Sequence, residues 1–117
     1  MKLYEVFTGD ELKIAEKIQQ RRYQLLVHSC IYYHLNQNIV SDAIWNEWSE
    51  ELVDLQTKYP NIASKVTLHE YFNDWDGSTG AFLPITKPWV IDIATKLVKP
   101  EQEEVVIAKK EKKRRLF

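Results

Sequence analysis

Cysteine, methionine, glycine and proline are scarce in this chain: among 117 residues there are one, one, three and four of them. A lone thiol, Cys30, cannot close an internal disulfide, and its setting in VHSCIYY reads as the interior of a helix. An inert, buried thiol is expected there rather than a nucleophile. No stretch reaches the about 18 consecutive apolar residues that span a bilayer, so no membrane partner is expected. The opening MKLYEVFTGDELK has neither the apolar core nor the small-residue cleavage site of a secretion signal, which places the chain in the cytoplasm. His28, His34 and His69 have no C-x-x-C or H-x-x-x-H pattern around them, so no metal site is expected. No nucleophile–base pair is visible either, and the chain reads as a non-enzyme.

Apolar residues make up 44% and aromatics 12%, enough for the core of one globular domain. The net charge of −1 conceals a split, because the last nine residues, KKEKKRRLF, hold six Lys/Arg against one Glu. Residues 1–108 carry ten Lys/Arg against sixteen Asp/Glu, an acidic body with a basic tail. Such a tail supports only weak, salt-sensitive nucleic-acid contact.

The apolar pattern is helical. Leu3 to Phe7 is a short strand or an irregular lead-in. Thr8-Gly9-Asp10-Glu11 has the form of a capping box, and Phe7 with Leu12 that of a hydrophobic staple, so a first helix begins near Gly9. Ile14, Ile18, Leu25 and Tyr32 line one stripe, which Tyr23, Leu26, Val27 and Cys30 widen. The helix extends to about Leu35, with room for a break near Gln19–Arg22, and Asn36-Gln37-Asn38 ends it. Ser41 caps a second helix, Val40 and Trp45 form a second staple, and Trp45, Trp48, Leu52, Leu55 and Tyr59 share one face until Pro60 stops it. Two helices joined by so short a loop run antiparallel. Residues 61–72 read as a helical turn and then a short helix or strand. Asn73 to Gly80 is the clearest loop and holds two of the three glycines. Thr86 caps a third helix with Val90, Ile93, Ala94, Leu97 and Val98 as its apolar side, and Pro100 interrupts it. The expected fold is mainly α: one domain over residues 1–100, made of a helical hairpin, a loop-rich middle and a third helix, with residues 101–117 as a charged tail or solvated helix.

One segment carries a family resemblance. Tyr32-Tyr33 is followed by Ser41-Asp42-Ala43-Ile44-Trp45-Asn46, then by Glu51-Leu52-Val53-Asp54-Leu55 and on to Pro60. This order resembles the N-terminal Ia subdomain of bacterial NAD-dependent DNA ligases, in which a Y-Y or Y-H pair leads through a short loop into S/P-D-x-x-Y-D and then E-L-x-x-L-E-x-x-x-P. The spacing matches without gaps over about a third of the chain. The whole also resembles short ligase-related proteins of Firmicutes and their phages.

The resemblance implies a subdomain that grips the nicotinamide mononucleotide (NMN) half of NAD. Tyr32, Tyr33, Asp42, Trp45 and Asn46 are then the candidate NMN- or NAD-binding residues. Aromatic faces attract a cationic nicotinamide ring, and a carboxylate offers charge and hydroxyl acceptors. Trp45 stands where Tyr is usual and Asn46 where Asp is usual, which implies weaker or altered binding. The lysine of K-x-D-G that takes the adenylate is missing; Asp74-Trp75-Asp76-Gly77 puts a carboxylate in its place. No cofactor is therefore required, and NMN or NAD enters as a ligand. Two readings remain open for the aromatics: core packing, or a ligand surface. They lead to two functions. One is a non-catalytic phage or prophage binding protein for a nicotinamide nucleotide or a host protein. The other is an interaction protein, such as an inhibitor of a host antiviral defence factor, whose ancestral pocket has filled with side chains.

Overall fold

The computed structural model describes residues 2–98, and among these the chain is mainly helical, with no strand. Helices α1 (Leu3–Val6), α2 (Gly9–Tyr33), α3 (Asp42–Lys58), α4 (Pro60–Ala63) and α5 (His69–Phe72) follow in order, and residues 88–98 are helical and are called α6. The Pro100 stop and the charged tail lie outside the described residues.

The frame is the α2–α3 hairpin. Arg22 bonds Gln56 far from the loop and His28 faces Trp48 nearer to it, so partners move toward the loop together on both helices, as an antiparallel pair requires. Ile18, Leu25, Leu26, Cys30 and Ile31 of α2 and Leu52 of α3 are fully buried and join α4, α5 and α6 in one core through Ile62, Ala63, Phe72, Val90 and Ala94. Each such aliphatic side chain contributes roughly 1.5–3 kcal/mol relative to exposure. Burial pushes the Cys30 thiol above its ordinary pKa, so it packs as a small apolar group.

Several expectations are corrected. Leu3–Val6 is a helical turn rather than a strand. Thr8 occupies the N-cap of α2 in extended backbone, yet its side chain makes no cap hydrogen bond. Gly9 sits at φ 58, which turns the chain out of the dihedrals a capping box needs. The α2 helix runs for 25 residues without the break allowed near Gln19–Arg22. Arg22 holds that stretch: fully buried, it donates from Nε to Gln56 Oε1 (2.9 Å), and from its two Nη to the carbonyls of Val66 (2.9 Å), Thr67 (3.1 Å) and Ala63 (3.1 Å). Burial lowers its pKa to about 10, against the opposing pull of Glu70. Gln56 passes the link on to the Phe72 carbonyl at 3.1 Å.

Residues 61–72 contain two helical turns and no strand, with Leu68 at φ 72 between them. Ser41 caps α3 as expected, its hydroxyl accepting from the Ile44 N–H at 3.2 Å. Tyr59 ends α3 as its C-cap and is exposed rather than part of the buried face. The carbonyl of Lys87, not the side chain of Thr86, opens α6, accepting from Val90 and Ile91 N–H at 3.0 Å, because Pro88 takes the first helical position. On α6, Val90, Ala94 and Val98 face the core, whereas Ile93 and Leu97 are exposed.

Candidate functional site

Where α2 ends, the chain has to reverse within eight residues to start α3, and Asn36 takes the left-handed turn at φ 55 that this reversal needs. The Gln37 N–H bonds back to the Ile31 carbonyl at 3.0 Å, folding the connector against the helix end. The turn, the end of α2 and the first turns of α3 enclose a cleft of about 260 Å³. Tyr32, Tyr33, Asp42, Trp45 and Asn46, separated by up to fourteen positions in the chain, all line it.

The cleft also takes in residues that sequence reasoning did not single out: Gln37 and Asn38 from the turn, His28 and Ser29 from α2, and Ser78 and Thr79 from the 73–80 loop. That loop is a built wall. Ser49 Oγ donates to the Gly77 carbonyl at 2.6 Å, Trp75 Nε1 donates to the Thr79 carbonyl at 2.7 Å, and Tyr33 Oη and Thr79 Oγ1 share a hydrogen bond of 2.9 Å. Asp76 accepts from the Ser78 hydroxyl and N–H, which together hold its carboxyl below the ordinary range. Gly77 stands at φ 84, and a Cβ there would come within 2.6 Å of Ser49 Oγ. At Gly80 a Cβ would overlap the Ser29 side chain, so only glycine lets the loop lie this close to α2.

The aromatics divide between the two open readings. Trp45 is half-buried and meets Trp75 edge-on at 5.9 Å, so it serves the packing as well as the cleft. Tyr32 and Tyr33 are 52% and 43% exposed and meet edge to face at 4.8 Å. A pair this exposed adds little to the core. Asp42 and Asn46 are exposed on the first turn of α3 and the next.

At the inner side, His28 packs against Trp48 at 5.2 Å, and burial moves its imidazole below the ordinary pKa, which favours the neutral ring. His28 Nδ1 and Ser29 Oγ are buried without a hydrogen-bond partner in the protein. His69 Nδ1, away from the cleft, is in the same state, and such groups are costly to bury unpaired. Among the described residues no three His, Cys, Asp or Glu side chains come together as a metal-binding group. A second, more open depression lies across Tyr32 and Tyr33, lined by Asn36, Gln37 and Asn38. Comparison with protein-family models, with curated proteins and with solved structures finds no match to this chain.

Proposed function

We propose that this chain is a non-catalytic binding protein, of phage or prophage origin, that takes the nicotinamide end of a nucleotide into the cleft at the tip of the α2–α3 hairpin. The observation that carries this reading is the convergence of Tyr32, Tyr33, Asp42, Trp45 and Asn46 on one concave surface. These are the positions to which the resemblance to the ligase Ia subdomain assigns the ligand. The volume of about 260 Å³ lies just below the range for ligand pockets, about 300–1,000 Å³, and suits a mononucleotide half better than a whole dinucleotide. Polarizable faces, one carboxylate and several amides and hydroxyls match a flat cationic ring joined to a ribose.

Titration with NMN and NAD, followed by tryptophan fluorescence and calorimetry, tests the reading. Saturable binding is expected, weakened by Trp45→Ala and by Tyr32→Ala, the second of which touches little of the core. Absence of binding at millimolar ligand would end it. Incubation with NAD under turnover conditions is expected to leave the dinucleotide intact.

A second reading, a protein-interaction module that inhibits a host factor such as an antiviral defence protein, draws on a different feature. Phe82 is 92% exposed, and Trp89, Ile93 and Leu97 form an exposed row at four-residue spacing on α6. Large apolar groups left in water in this number favour a macromolecular partner. Affinity capture that depends on Phe82 and Leu97 but not on Tyr32 would select this reading over the first.

A further inference from the structure

The cleft's charge is as informative as its shape. Among the described residues no lysine or arginine lines it, and none lines the neighbouring depression; Asp42 is the one carboxylate in either. His28 is held toward its neutral form and adds no compensating cation. The described cations that do sit over aromatic rings are used elsewhere: Lys2 over Tyr4, Arg21 over Trp48 and Lys87 over Tyr71. The faces of Tyr32, Tyr33 and Trp45 have no such partner among the described residues.

A phosphate monoester carries about −1.5 to −2 charges at neutral pH. In this cleft it would find hydroxyls and amides but, among the described residues, no counter-charge, with the Asp42 carboxylate nearby. A ring bearing a fixed positive charge meets the opposite situation: three aromatic residues and one carboxylate, all of which favour it.

We infer that the cleft selects a cationic N-ribosylated pyridinium without a phosphate, so that nicotinamide riboside is preferred over NMN. This rests on the nicotinamide reading above and sharpens it from a nucleotide to a nucleoside.

The test is calorimetric titration of the full chain with nicotinamide riboside, its uncharged dihydro form, and NMN, at low and at raised salt. The oxidised riboside is expected to bind on the order of tenfold more tightly than either of the others, and its affinity to fall as salt rises. Asp42→Asn, an exposed position whose substitution leaves the packing alone, is expected to remove much of the preference over NMN, with the melting temperature reporting an intact fold. NMN binding as tightly as the riboside, or a ratio that Asp42→Asn does not move, would overturn the inference while leaving the nicotinamide reading in place. Failure of all three ligands to bind would overturn both.

Discussion

At the scale of single residues, Arg22 and His28 decide most. Arg22 is a cation without, among the described residues, a carboxylate within hydrogen-bonding distance, held by carbonyl oxygens from Ala63, Val66 and Thr67 and by Gln56. Removing it leaves those acceptors buried and unpaired, so Arg22→Ala is expected to cost about 3–5 kcal/mol of stability, read from urea unfolding. Lys in its place supplies charge without the planar fork and is expected to recover only part. His28 gives the protein an acid sensitivity. Its folded pKa is depressed below the ordinary 6.5. Between the two values the unfolded chain binds a proton that the native state refuses, so stability falls as pH drops through that window and the loss is complete below the folded pKa. Thermal melts at about pH 7 and about pH 5 are expected to differ less for His28→Gln than for the natural chain. None of this was legible in the sequence. An arginine beside a possible helix break and a lone histidine give no sign of being buried until the elements that surround them are placed.

At the scale of elements, two caps written in similar letters behave differently. Ser41 uses its hydroxyl on the Ile44 N–H, whereas Thr8 leaves its own unused. Ser41→Ala is accordingly expected to cost about 1 kcal/mol and Thr8→Ala only a few tenths, a contrast that paired denaturant titrations will resolve. The 73–80 loop could be recognised from its Asp, Ser and Gly content, but its role as a wall of the cleft could not. That role depends on Ser49, Ser29 and Tyr33, which lie 28 to 51 positions from their partners in the loop and become neighbours only through folding. Gly80→Ala is expected to lift the loop off α2 and weaken ligand binding while far-UV circular dichroism retains the hairpin. On α6 the apolar letters were read as one side, and packing used only the Val90, Ala94, Val98 row. A wide stripe does not say which edge of it will meet the core.

At the scale of the whole molecule, all six helices except the short α1 contribute buried side chains to one cluster, so the described body is expected to unfold in a single transition. Tryptophan fluorescence, reporting from Trp45, Trp48, Trp75 and Trp89, and circular dichroism are expected to give coincident denaturation curves. Charge acts on this scale too. With the basic residues concentrated in 109–117, nucleic-acid binding is expected to be weak, to fall steeply with salt and to disappear when those nine residues are removed.

Periodicity by itself determined the helical class and the antiparallel hairpin, and Pro60 the stop of its second helix, because helix faces and breakers are local properties that the sequence encodes directly; the candidates Tyr32, Tyr33, Asp42, Trp45 and Asn46 came from the resemblance, whose motif is also local. Only the tertiary structure decided that these five line a common cleft, that Ser78 and Thr79 help to enclose it, and that Arg22 and His28 lie inside. Those facts depend on which distant segments come into contact, and contact between elements is set by the packing of the whole core rather than by any stretch of the chain taken alone.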